Sequence, residues 1–334
     1  MKSRAPGASG AARSGAAARS GAAARPGAAA RSGAAARPVV AFPRESTPPS
    51  QTTRLLRVFF RRKIVVVGAV LIVLTALVGL VAPAFAPDPT RMEVAARLKA
   101  PGAAHWFGTD DLGRDVYARV VHGARLSLFV GVAVVVFSFV VGLSAGLAAG
   151  YFRRLDNVIM RVMDGLMAFP AIILAIALMA SLGPSVTNVI VAIGVVYSPR
   201  VARVVRGSVL VIRETAYVEA ARALGLTNLW IILRHVLPNC LSPVIVQGSF
   251  VFAAAVLTEA ALSFLGVGVP PYVPSWGNIL SEGRLYLQQA PWLVLYPGAA
   301  IMLTILGLNL LGDGVRDLLD PRLRGAASDQ GRGS

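Results

Sequence analysis

Residues 217–238 read Tyr-Val-Glu-Ala-Ala-Arg-Ala-Leu-Gly-Leu-Thr-Asn-Leu-Trp-Ile-Ile-Leu-Arg-His-Val-Leu-Pro, a charged, helix-prone stretch set between apolar runs long enough to cross a bilayer. Its charges keep it out of hydrocarbon, where an ionised side chain at the centre costs about 2.5–3.5 kcal/mol. Glu219 and Arg222, with alanines beside them that include Ala220 and Ala221, favour a helix with one side thin enough to enter a groove. Gly225 can then reverse the chain. Thr227 or Asn228 is a fitting N-cap for a second helix over Leu229 to Val236, and Pro238, after Leu237, is expected to end it. A polar helical hairpin between membrane-length runs is expected to dock something outside the lipid.

The flanking runs set the fold class. A span needs about 20 apolar residues to cross about 30 Å of hydrocarbon. Six stretches qualify: Ile64 to Phe85, about Leu126 to Ala149, about Val158 to Leu182 with Pro170 inside it, about Val186 to Val205, about Leu241 to Leu265 and about Pro291 to Leu311. The sequence therefore predicts an all-α integral membrane protein of six transmembrane helices. Its expected parts are a low-complexity arm over 1–52, a first helix with its basic flank over 53–86, an extracytoplasmic segment over 87–125, a core of five helices over 126–315 that includes the 215–238 loop, and a tail over 316–334.

Composition agrees with this reading. Hydrophobic residues make up 55% of the chain and mean hydropathy is +0.66, more apolar surface than a soluble globule of this size can hide. The net charge is +17, but residues 1–63 hold thirteen Lys or Arg against Glu45 alone. That asymmetry fits a basic arm on the cytoplasmic side of a first span and argues against a nucleic-acid binder. Within the arm, Arg13, Arg19, Arg25, Arg31 and Arg37 recur with a period of six in a Gly-rich, Ala-rich context with no burial pattern, so disorder is expected, with weak attraction to anionic lipid as a second reading. With an even number of spans, both termini and the 217–238 stretch fall on the cytoplasmic side. Arg153, Arg154, Arg200, Arg203, Arg206 and Arg213 support that orientation; the basic residues of 87–125 fit it less well.

Two other features draw attention. Ser138, Gly142, Gly146 and Gly150 recur every four residues, a line of small side chains on one helix face that lets another backbone approach. Asp164 and Glu259 fall within expected spans and should face protein or water. They are either pathway residues that attract the cationic end of a solute or helix-end charges, Asp164 then pairing with Arg161 or another chain.

Glu219-Ala220-Ala221, Gly225 and Leu237-Pro238 resemble the EAA loop of ABC-importer permeases. The resemblance extends over about residues 54–325. His105-Trp106-Phe107-Gly108-Thr109-Asp110-Asp111-Leu112-Gly113-Arg114-Asp115 is similar to the outer-segment signature of dipeptide, oligopeptide and nickel importer permeases. Leu262-Ser263-Phe264-Leu265-Gly266, Pro274-Ser275-Trp276-Gly277 and Asn309-Leu310-Leu311-Gly312-Asp313-Gly314-Val315-Arg316-Asp317 resemble that family's later motifs. What this implies is the fold of a type I ABC importer permease, the C-type subunit beside a paralogous B-type permease. It also implies two ATPase subunits or domains that bind ATP and Mg, an extracytoplasmic solute-binding protein, and a bacterial inner-membrane location. By the same resemblance Glu219, Ala220, Ala221, Arg222, Gly225, Leu237 and Pro238 couple to the ATPases. Peptides are the expected cargo, nickel or another small solute the alternative.

No catalytic or metal-binding residue is expected in this chain. Its lysines, Lys2, Lys63 and Lys99, follow Met1, Arg62 and Leu98, so none completes a phosphate-binding Gly-Lys-Ser/Thr loop. His105, His122 and His235 have no second histidine nearby for a zinc site and sit at span ends or in loops, unsuited to an intramembrane serine protease. The single cysteine, Cys240, excludes an intrachain disulfide and reads as a small apolar residue. A secondary transporter, the remaining rival, has no need of a separate docking loop.

Overall fold

The computed structural model describes residues 63–319, which are helical apart from their connections and one isolated bridge between Thr109 and Asp115. The arm over 1–52 and the end of the tail lie outside the described residues. The helices are α1 (Lys63–Val81), α2 (Val116–Tyr151), α3 (Arg153–Met167), α4 (Ala171–Leu182), α5 (Val186–Ile212), α6 (Ala216–Ala223), α7 (Asn228–Phe264), α8 (Trp276–Gly283) and α9 (Trp292–Leu319). Among the described residues, five segments are long and apolar enough to cross a membrane, and a sixth if α3 and α4 count as one.

That third span is not straight. Pro170 disfavours helical geometry at Phe169, so α3 stops at Met167 and the chain bends by 92° before α4 begins. Apolar and charged residues of α3 segregate to opposite sides, whereas α4 is apolar all round and, at twelve residues, about 18 Å long. Asp164 therefore does not sit on a membrane-crossing rod as the sequence predicts.

Two further boundaries differ. α2 begins at Val116, inside the expected outer segment, because Asp115 accepts a hydrogen bond from the Ala118 N–H and caps it. Pro238 does not end a helix. A π-helical turn over Ile232–Val236 precedes it, and the wider turn accommodates a residue that lacks an N–H, so the chain continues from Asn228 to Phe264.

The line of small residues finds its partner within the same chain, on α5. Ser138 donates to the Gly194 carbonyl at 3.2 Å. A Cβ on Gly142 would lie 2.7 Å from the Ser198 carbonyl oxygen, and one on Gly146 would lie 2.6 Å from that of Ala202. At Gly150 it would lie 2.6 Å from Val209 Cβ. Two backbones at this separation gain dispersion contacts that larger side chains would prevent. The same helices anchor the larger core, with Val134, Ile193, Val201, Val205 and Val209 buried together with parts of α4, α6 and α7.

A second core ties α8 and α9 to the ends of α2 and α7. Around it the 105–115 motif becomes a clamp. Asp110, wholly buried, accepts from Arg114 Nε and Arg119 Nη1 at 2.6 Å each, and both arginines also reach Glu282 at the end of α8. Trp292 Nε1 donates to the Thr109 carbonyl at 3.1 Å, and Phe107 stacks on Tyr296 at 3.9 Å between centroids. Gly113 has φ +74°, and a Cβ there would fall 1.9 Å from the Glu93 carbonyl oxygen, which explains the glycine in the motif.

Candidate functional site

The 217–238 stretch forms a hook at the end of the molecule where α2 and α5 finish. Thr215 Oγ1 donates to the Ile212 carbonyl at 2.6 Å and closes α5, and Arg213 Nη1 donates to the Gly150 carbonyl at 2.7 Å, tying the hook's root to the last turn of α2. α6 ends in a Schellman motif. The Leu226 N–H reaches the Ala221 carbonyl at 3.2 Å, the Gly225 N–H reaches the Arg222 carbonyl at 2.9 Å, and Gly225 takes φ +77°. The chain then enters α7, and the π-helical turn places His235 between Trp230, 5.0 Å away, and Tyr217, 6.1 Å away on α6.

One of the alanines departs from the presented face that the sequence suggests. Ala221 is 4% exposed and packs, with Val218, against Ile231, Ile232 and Val236 in the main core. Ala221 is thus covered by its own chain, because the backbone hook needs a small residue where α6 meets α7. The outward side carries Glu219, Ala220, Arg222, Ala223 and Leu224, the last 80% exposed. The Glu219 carboxylate makes no hydrogen bond or ion pair among the described residues, its backbone N–H donating to the Thr215 carbonyl at 3.1 Å. Leu229, Trp230 and Leu233 continue the outward side as exposed apolar residues. Sequence reasoning missed these, although their presence in a stretch that cannot enter lipid was a usable signal. Leu237 is half-buried and Pro238 exposed, both in α7 at the end of the hook, just past the π-helical turn.

Beside the hook, an open cleft of about 620 Å³ runs between α3 and α5. Asp156 holds Arg206 through two contacts, 2.5 and 2.7 Å, and Asp164 holds Arg203 at 2.6 Å rather than Arg161. Arg161 lines the same cleft. Asp164 and Arg203 are both more than half exposed, so this pair adds little to stability and leaves charges of both signs facing the opening.

Glu259 is in a different place and not in that cleft. It is fully buried near the end of α7, where Ser127 donates to Oε2 and Ser263 to Oε1, each at 2.9 Å. Asp164 and Glu259 are therefore not brought together. Among the described residues, the acidic group that could geometrically hold a metal is Asp110, Asp111 and Glu282; Arg114 and Arg119 already engage oxygens of Asp110 and Glu282, and Asp111 Oδ1 is buried without a hydrogen-bond partner. Cys240 is buried within α7.

Comparison with known proteins adds to this geometry. The family model described as binding-protein-dependent transport system inner membrane component matches residues 125–325, and that described as the N-terminal TM domain of oligopeptide transport permease C matches residues 50–101. A chain of Brucella suis biovar 1 (strain 1330) is 50% identical over 269 residues, 80% of this chain and 91% of its own length. The dipeptide transport system permease protein DppC of Alkalihalophilus pseudofirmus is 46% identical over 266 residues, 79% of this chain and 88% of that one. The di/tripeptide transport system permease protein DppC of Pseudomonas aeruginosa is 41% identical over 287 residues, 84% and 95% of the two chains. Among solved structures, an inward-facing MetNI methionine ABC transporter chain aligns with TM-score 0.51 at 21% identity, covering 60% of this chain and 96% of that one, a likeness of fold.

Proposed function

We propose a function from one premise: this chain belongs to the family of binding-protein-dependent transport system inner membrane components. It is a multi-pass inner-membrane permease subunit of an ABC importer, and its cargo is dipeptides or oligopeptides. Half of the translocation pathway is its own, the other half that of a paralogous permease. Two ATPase subunits or domains bind ATP and Mg, and an extracytoplasmic binding protein delivers the solute. The hook lies on the cytoplasmic side together with both termini, an orientation supported by Arg153, Arg154, Arg206, Arg213 and Arg222 at that end.

The observation that carries the reading is the two-sidedness of the hook. Val218 and Ala221 are sunk in the core shared with α5 and α7, while Glu219, Leu224, Leu229 and Trp230 remain uncovered. A partner gripping the uncovered side would move α5 and α7 with it, since Arg213 and the π-helical turn leave little slack. Coupling is therefore mechanical, through Glu219, Ala220, Arg222 and Gly225 in particular, and the chain itself hydrolyses nothing. The α3–α5 cleft supports a peptide cargo: Asp164 suits an amino terminus, Arg203 and Arg161 a carboxylate.

Reconstitution in vesicles tests this. The purified chain alone should turn over no ATP, and uptake of a dipeptide should require the ATPase subunits, the second permease and the loaded binding protein together. ATP turnover by the isolated chain, or uptake without the ATPases, would overturn the reading. Peptides released from the co-purified binding protein on denaturation would identify the cargo.

A further inference from the structure

A second cavity, of about 310 Å³, lies between the root of the hook and the ends of the spans, lined by Tyr151, Arg153, Arg213, Glu214, Arg222 and Asn228. Three guanidiniums face one carboxylate. Glu214 engages Arg213 Nε at 3.0 Å, and Arg213 also holds the Gly150 carbonyl. Arg222 lies over the Tyr151 ring at 5.3 Å, a contact that leaves its charge uncompensated. Arg153 makes no hydrogen bond or ion pair among the described residues. Tyr151 donates its hydroxyl to Asn228 Oδ1 at 2.9 Å, so the Asn228 amide N–H groups remain available to the cavity.

One exposed aromatic ring adjoins this basic cavity: Phe152 meets Tyr151 edge-on at 5.1 Å between centroids. Val211, two residues before Arg213, is 72% exposed, and Phe152 and Leu155 flank Arg153 at 38% and 45% exposure. Val211 belongs to the last turn of the α5 span, and Phe152 and Leu155 to the junction between α2 and α3, so exposed apolar side chains stand at the ends of the spans. We propose that the cavity binds the phosphate of an anionic phospholipid, with Arg153, Arg213 and Arg222 on the phosphate oxygens and an acyl chain lying against Phe152. Cation clusters beside span ends recognise such headgroups by combining charge with adjacent hydrocarbon. An acidic side chain of a partner protein would satisfy the arginines but would have no use for the exposed Phe152 or for a place at the ends of the spans. The bound lipid would join Arg222 of the hook to Arg153 and Arg213 at the span ends, and so stiffen the hook's root. This site does not depend on the cargo or on the direction of transport.

The test is lipid titration of the full-length detergent-purified chain, followed by native mass spectrometry. Dioleoyl phosphatidylglycerol should bind more tightly than dioleoyl phosphatidylcholine. Arg153→Gln should weaken phosphatidylglycerol alone by about fivefold, the loss expected for one arginine near an anionic surface, and Arg153→Lys should retain most of it. Arg316→Gln, at a residue of α9 that does not line the cavity, should leave the preference unchanged. Soluble glycerol phosphate should bind far more weakly than the lipid. If it binds equally well, the phosphate site stands and the lipid source falls. An unaltered phosphatidylglycerol preference in Arg153→Gln overturns the proposal, as does release of the lipid from the wild-type chain when the ATPase subunits are added.

Discussion

Gly225 and Ala221 show how differently two neighbouring small residues can be constrained. At Gly225 no atom lies within 4 Å of where a Cβ would be, so the demand for glycine is purely conformational, a φ of +77°. Asn tolerates that region and a β-branched residue does not. Gly225→Asn is expected to keep ATPase co-purification near wild type. Gly225→Val should destabilise the hook by about 1–2 kcal/mol and lower both co-purification and uptake. At Ala221 the demand is for space. Ala221→Trp is expected to abolish monodisperse folded chain, because the site is the protein's own core rather than a partner cleft. Leu224→Ala should leave folding intact and weaken ATPase association. Fluorescence-detected size exclusion with pull-down separates the two outcomes, and a well-folded Ala221→Trp chain would show that the hook's inner face is not fixed.

At the scale of elements, the α2–α5 pair provides a direct comparison between glycines. Gly146 has the Ala202 carbonyl oxygen and Val205 Cβ at 2.6 Å from a would-be Cβ, whereas Gly207 on α5 has open space. Gly146→Ala is therefore expected to push the helices apart and lower thermal stability by about 1–3 kcal/mol. Gly207→Ala, which only improves helix propensity, should be neutral or raise it by about 0.5–1 kcal/mol. Thermal unfolding of both variants in the same detergent checks this, and equal melting temperatures would mean that the seam is looser than its geometry. The pattern of four was readable in the sequence because it is local. Its partner was not, since the valines and carbonyls of α5 that receive it lie far along the chain, Gly194 being 56 residues from Ser138.

For the whole molecule, the clamp around Asp110 decides how the 87–115 connection sits on the bundle. Arg119 is 2% exposed and has Asp110 and Glu282 as its counter-charges. Breaking a buried pair leaves a charge without compensation, so Asp110→Ala is expected to cost about 3–5 kcal/mol. The loss should appear as a lower melting temperature and as new proteolytic cleavage within 87–115, while α2–α5 stays folded. A chain that keeps its melting temperature and its protease resistance would show that the aromatic contacts of Phe107 and Trp292 suffice.

Much of this was determined by the sequence alone. Apolar run length set the membrane class and five of the six expected spans, because crossing hydrocarbon requires about 20 apolar residues in a row wherever the chain goes. Charge placed the 217–238 stretch outside lipid, Gly225 marked its turn, and the 105–115 and 262–277 motifs pointed to the family. What only the tertiary structure decided were relations between distant residues. Pro170 could have produced a mild kink, and packing made it a bend of 92°. Pro238 could have stopped a helix, and one π-helical turn let it continue. Ala221 faced inward, Asp164 met Arg203, and Glu259 was enclosed by Ser127 and Ser263. The physical reason is common to all five. Local sequence fixes which conformations and solvents a residue tolerates, but the side on which it is buried and the charge it meets depend on helices that close over it from elsewhere in the chain.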